Sequence, residues 1–268
     1  MYYSDYHTHT LLSPDSDTPL PLMAQTALDM GLSEICVTDH YDTLEPMGDR
    51  SAPFEWAPAV AQIRENQAQF AGKLVIKLGL ELGSGHLDRS VLVSAPDALD
   101  FVLGSIHNRS EAAGGMDFFY DVPEDAYQTE KGCYTALDDY VSSLEALAPL
   151  PVYDVMAHLI YPLRYMQPKC PAVTMDRYAG RIRDLLATVI RSGRGMELNT
   201  YRGRTLAEWA PWLRMYRELG GEIVTVGSDA HRPNGMGQGI REAYELLTQC
   251  GFRYVCTYDR RKPTFQKL

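Results

Sequence analysis

Residues 195–231 read GMELNTYRGRTLAEWAPWLRMYRELGGEIVTVGSDAH. A short apolar run at 195–198 leads into an amphipathic stretch, 206–219, that stops at Gly220-Gly221. A second apolar run, 222–227, follows at once and ends in Gly-Ser-Asp-Ala-His. Glycine just beyond a helical pattern is a common C-cap. The segment therefore reads as strand, helix, strand, the unit that lays two strands side by side and parallel.

The same alternation runs outward to both ends of the chain. Further strands are predicted at 2–6, 34–38, 74–80, 101–106 and 152–157, and helices at 20–30, 57–71, 137–148, 176–192 and 239–250. Gly31, Gly193 and Gly251 end three of these helices as Gly220 ends the one above. Alternation repeated about seven times over 268 residues predicts one α/β domain, 1–268, whose parallel sheet closes into a (β/α) barrel. The connections are lopsided. Those after strands are long (43–55, 108–135, 159–175), whereas those before strands are as short as Gly31-Leu32-Ser33. In β/α barrels the loops after the strands build the functional face. The segment 108–135 lacks clear periodicity and is a candidate lid or substrate loop.

Bulk composition narrows the function. The chain is 45% hydrophobic and 22% charged, which suits a packed core. A net charge of −10 gives no basic face for a nucleic-acid backbone, so no nucleic-acid partner is expected. Five scattered cysteines (36, 133, 170, 250, 256) form no C-x-x-C pair, and no secretory segment is evident. The expectation is a cytoplasmic protein with reduced thiols. No apolar run of about 18 residues exists, so no membrane partner is expected either.

The histidines carry the chemistry. His7 and His9 follow the first strand, His40 the second, His107 the fourth and His158 the fifth, while Asp229 and His231 follow the seventh. Glu81 ends the third, in Gly-Leu-Glu-Leu-Gly. Six of the seven histidines thus fall at strand C-termini, which converge on one rim; His86 does not and reads as a surface residue. In an extended chain residues i and i+2 point the same way, so His7/His9 and Asp229/His231 are each two-toothed metal clamps. Histidines scattered for packing or hydrogen bonding would not share this position.

These residues also resemble a known family. Asp-Tyr-His-Thr-His-Thr-x-x-Ser-Pro-Asp-Ser from residue 5, then Thr-Asp-His, Gly-Leu-Glu, Ser-Ile-His, Ala-His-Leu and Gly-Ser-Asp-Ala-His, are similar in order to the motifs of the polymerase and histidinol phosphatase (PHP) superfamily. The likeness is greatest to its monofunctional histidinol-phosphate phosphatases, which implies a distorted (β/α)7 TIM-like barrel. It also implies about three divalent metal ions. One would be held by His7, His9, Glu81 and Asp229, a second by Glu81, His107 and His158, and a third by Asp15, His40 and His231. Asp17 competes with Asp15 if the turn is read differently. Nitrogen and oxygen donors without thiolate suit Zn, Mn or Fe.

The resemblance implies that Arg164, six residues after His158, grips the substrate phosphate, with Arg202 or Arg204 as a second grip. Glu197 reads as a residue that orients a ligand, and Asp39 and Asp42 as orienters, proton carriers or plain loop carboxylates. The Gly235-Met236-Gly237-Gln238-Gly239 run matches no nucleotide-binding fingerprint and reads as a close approach of the chain to the metal site. Trp209 and Trp212 read as helix packing. The expected activity is hydrolysis of a small phosphomonoester by metal-activated water, with Arg164, Asp229 and His231 at the reacting centre. L-histidinol phosphate is the expected substrate, which would place the chain in histidine biosynthesis. Glu111, Asp117, Asp121 and Phe118-Phe119-Tyr120 could receive its ammonium and imidazole groups, or simply fold the loop. The competing readings are a PHP phosphoesterase acting on nucleotides or sugar phosphates, and a metal-binding module without turnover.

Overall fold

Seven parallel strands alternate with helices in the computed structural model, which describes residues 1–119, 122 and 126–268. The barrel strands are β1 (Ser4–Thr8), β2 (Glu34–Val37), β4 (Val75–Gly83), β5 (Phe101–Ser105), β6 (Val155–Met156), β7 (Gly195–Asn199) and β8 (Val224–Gly227), paired in that order. A short β3 (His40–Asp42) runs beside Glu81–Gly83 of β4. The last gap is bridged only at the C-terminal rim. There Thr8 pairs with Ala230, and the Asp229 amide donates to the His7 carbonyl at 2.9 Å. The result is a single α/β domain built on a nearly closed seven-stranded parallel barrel, as expected.

The helices are α1 (Leu20–Asp29), α2 (Trp56–Gln69), α3 (Ser90–Val93), α4 (Glu130–Leu147), α5 (Leu163–Met166), α6 (Ala179–Arg191), α7 (Leu206–Glu218) and α8 (Ile240–Gln249). Strand alternation divides the core in two. Ile76, Leu78, Leu80 and Leu82 of β4 face the helices, where Trp209 and Trp212 of α7 are also buried. The opposite face of β4 presents Lys77, Gly79 and Glu81, and inward residues of other strands (Tyr6, Cys36, Phe101, Leu103, Val155) form a separate small cluster. A side chain at a given strand position is thus committed to the helix layer or to the barrel interior. Among the described residues, no helix is long and apolar enough to cross a membrane.

Three elements differ from expectation. The strand predicted at 152–157 shrinks to Val155–Met156, because Asp154 turns its carboxylate onto the Val102 amide at 2.8 Å and takes a donor from the ladder. Helix α4 starts at Glu130 rather than 137, capped by the Thr129 hydroxyl, which accepts from the Gly132 amide. The third difference is a C-terminal antiparallel hairpin, β9 (Tyr254–Asp259) and β10 (Lys262–Lys267), that the sequence reading missed. Its Cys256 and Tyr258 join the inner cluster, and the Tyr258 amide donates to the Tyr6 hydroxyl, so the hairpin plugs the N-terminal end of the barrel.

Candidate metal centre

Six histidines, Glu81, Asp15 and Asp229 meet at the open rim. Glu81 is fully buried and central: its Oε2 lies 3.0 Å from His7 Nε2 and 3.6 Å from His9 Nε2, and its Oε1 lies 2.9 Å from His158 Nε2 and 3.1 Å from His107 Nε2. Asp229 Oδ1 is 3.7 Å from both His7 Nε2 and His9 Nε2. At the mouth, His231 Nε2 approaches Asp15 Oδ2 at 2.9 Å and His40 Nε2 at 3.4 Å. Asp17, by contrast, is 79% exposed and lies 3.8 Å from Arg232.

The hydrogen bonds behind the rings fix what each histidine can offer. Glu197 and Asp42 are acceptors when ionised, so the nitrogens facing them carry the protons: His7 Nδ1 at 2.7 Å from Glu197 and His107 Nδ1 at 2.7 Å from Asp42. The Ser13 hydroxyl donates to Asp39 at 3.0 Å and so accepts from His9 Nδ1, also at 3.0 Å. His231 Nδ1 donates to the Asp229 carbonyl at 3.1 Å. In all four rings the Nε2 lone pair is left pointing into the site. Asp39 and Asp42 are therefore orienters, and the Glu197 carboxylate braces both His7 and His158, whose backbone amide donates to Glu197 Oε2 at 3.1 Å.

Such a crowd of acceptors calls for cations. His9 Nε2, His40 Nδ1 and Asp15 Oδ1 are buried without a hydrogen-bond partner, a costly state for polar atoms. The neighbouring donor atoms are 2.9–3.7 Å apart, and ligands about 2.0–2.1 Å from a tetrahedral ion lie roughly 3.3 Å from one another. Groups able to hold an ion include His7-Glu81-His158, His7-His9-Asp229 and His9-His40-His231. The electrostatics agree. Burial favours a protonated Glu81, but the His7, His107 and His40 rings outweigh it and hold the carboxyl well below its usual range. Burial also opposes charge on His40, yet Glu81, Asp15 and Asp42 together raise it to about 9. Without metal, protons take the place of cations, so ion uptake is coupled to their release.

Glycines make the close packing possible. A Cβ on Gly227 would lie 2.3 Å from the His7 Cβ and 2.4 Å from Glu197 Oε1, and one on Gly83 would overlap Asp42. Asp5 was missed as a contributor. Its buried carboxylate accepts from the Ser228 amide at 2.8 Å and the Gly237 amide at 3.1 Å, bracing the loop that carries Asp229 and His231. Burial raises it to about 6 against those bonds. The signal available was an acidic residue inside a buried strand. The glycine run 235–239 packs against Asp5, the 200–204 loop and Ala230, which lies between Asp229 and His231.

The centre opens into a cleft of ≈1060 Å³. Arg164 lines it, donating from Nη1 to Asp229 Oδ2 and from Nη2 to Asn199 Oδ1, both at 2.6 Å, while its buried Nε has no partner. Arg202 lines the cleft and Arg204 is not among the lining residues. Asp117 and Phe119 also line it, whereas Phe118 is fully buried in the core and Glu111 pairs with Arg50 at 2.8 Å. Tyr120 and Asp121 lie outside the described residues. His86 is half-buried rather than superficial and stands apart from the cluster.

The PHP domain profile matches residues 5–201, which span most of this rim. The chain belongs to the PHP family. The match makes it a member of a family of metal-dependent phosphoesterases, here with several buried His/Glu/Asp groups that fit a multi-metal site. It is 27% identical to the histidinol-phosphatase of Lactococcus lactis over 265 residues, covering 96% of this chain and 95% of the relative. It is 31% identical to a probable histidinol-phosphatase of Deinococcus radiodurans, covering 96% and 97%. A crystal structure of histidinol phosphate phosphatase from L. lactis, complexed with zinc, L-histidinol and phosphate, superimposes with a TM-score of 0.85 at 26% identity over 98% of each chain.

Proposed function

We propose that this PHP protein hydrolyses L-histidinol phosphate to L-histidinol and inorganic phosphate. The observation that carries the reading is end-to-end likeness, in sequence and fold, to a phosphatase captured with both products. The ligand geometry supports three divalent ions, Zn, Mn or Fe: one at His7, His9, Glu81 and Asp229, one at Glu81, His107 and His158, and one at Asp15, His40 and His231. Bound there, they would acidify water and neutralise phosphoryl charge.

The chain's own groups supply the rest. Arg164, held by Asp229 and Asn199, keeps its Nε beside the centre to receive a phosphoryl oxygen. His231 and Asp229 fix the mouth and floor of the site. The far wall combines Phe54, Phe119 and Tyr165 with Glu45 and Asp117, and Phe119 stacks on Tyr165 at 4.6 Å. Aromatic faces and carboxylates suit an imidazole and an ammonium group.

A panel of phosphomonoesters tests the assignment. Measured kcat/KM for L-histidinol phosphate is expected to exceed that for nucleoside monophosphates and sugar phosphates by at least about tenfold. Equal turnover of a nucleotide would remove the substrate assignment and leave the metal chemistry standing.

A further inference from the structure

Three guanidinium groups converge on one ring. Arg164 sits 4.1 Å from the Tyr201 centroid, Arg202 4.7 Å and Arg204 5.5 Å. Tyr201 and Arg202 reach this arrangement with φ of 45° and 56°, a left-handed backbone that residues with a Cβ avoid. Specific contacts hold it. The Tyr201 amide donates to Asn199 Oδ1 at 2.9 Å, and the Arg202 amide to the Ser228 carbonyl at 3.0 Å.

The glycine run 235–239 forms the seat beneath. A Cβ on Gly239 would fall 2.8 Å from the Gly203 Cα, and one on Gly235 would fall 3.0 Å from the Arg202 Cδ. The Thr200 hydroxyl donates to the Gln238 carbonyl at 2.6 Å, and Gly237 is tied to Asp5 on β1. The run therefore lies between β1 and the 200–204 loop, where a side chain at Gly235 would press on Arg202 and one at Gly239 on the Gly203 backbone that follows it.

We propose that Tyr201 is a positioning residue that holds Arg164 and Arg202 together as a two-armed grip for one phosphate, with the 235–239 glycine run as its seat. Two guanidinium groups brought together without an anion repel each other. The shared Tyr201 ring attracts both and leaves the unpartnered Arg164 Nε and the Arg202 guanidinium edge for phosphate oxygens. The proposal rests on the phosphomonoesterase reading.

The test is calorimetric titration of inorganic phosphate into metal-loaded protein, with steady-state kinetics on an aryl phosphate. Tyr201→Ala and Tyr201→Leu are expected to weaken phosphate binding by about tenfold or more, and Tyr201→Phe, which keeps the ring, by less than about twofold. In the first two variants KM should rise more than kcat falls, with metal content and Tm unchanged. Gly239→Ala should weaken phosphate binding in the same way. Wild-type binding in Tyr201→Ala, full rescue by Leu, or equal loss in Tyr201→Phe would overturn the positioning role alone. A wild-type protein that neither binds phosphate nor turns over the aryl ester would overturn the phosphomonoesterase reading, and this proposal with it.

Discussion

Glu81→Gln is expected to strip the centre and reduce turnover by at least about 10³-fold, since both water activation and phosphoryl charge neutralisation depend on the ions. Glu81 is buried at the centre, with its two oxygens facing different histidine sets, His7 and His9 on one side and His107 and His158 on the other. The amide keeps the volume and removes the negative charge. It also presents an N–H₂ donor to one set of rings, where a cation would otherwise sit. Metal analysis alongside kinetics checks this outcome. A variant that keeps its full metal content and turns over normally would mean that Glu81 bridges nothing.

Arg164→Ala is expected to lower kcat/KM by about 10²–10³-fold while metal content holds. The guanidinium is buried between Asp229, Asn199 and the Tyr201 ring, so its loss removes a preorganised cation without opening the ligand set. Asp229 keeps Oδ1 toward His7 and His9 when the partner of its Oδ2 is gone. Arg164→Lys should recover only part of the loss, because a point charge cannot reproduce the fork. Near-wild-type kinetics in Arg164→Ala would move the phosphate grip to Arg202.

The barrel and the histidine cluster at its rim were readable in the sequence because they rest on patterns that the chain cannot hide. Alternating strand and helix periods specify the parallel sheet, and histidine at strand ends has no packing explanation. The resemblance placed Asp15 ahead of Asp17 in the same turn, and the fold turns Asp15 toward His231 and Asp17 toward Arg232. The residues behind the ligands were harder still. Asp5, Ser13 and Gly227 act through contacts with residues far along the chain or through missing atoms, and neither leaves a local pattern.

The terminal hairpin escaped for a different reason. Two-residue hairpin turns usually announce themselves with Asn-Gly or Asp-Gly. Here Arg260 and Arg261 take the left-handed positions, with φ of 47° and 63°. Asp100 accepts from the Arg260 amide at 3.1 Å, and Asp154 pairs with the Arg261 side chain at 2.5 Å. Tertiary contacts replaced the local signal. The loop at 111–121 failed similarly in part: Phe118 faces Tyr140 in the core, and among the loop's described residues Asp117 and Phe119 line the cleft.

The most direct test is the metal stoichiometry of protein purified without chelator, measured by elemental analysis with activity followed on the same sample. About three divalent ions per chain, lost together with turnover on chelation and restored by Zn or Mn, is the predicted result. Fewer than one ion per chain, with no activity recovered on adding either metal, would contradict the account at its centre.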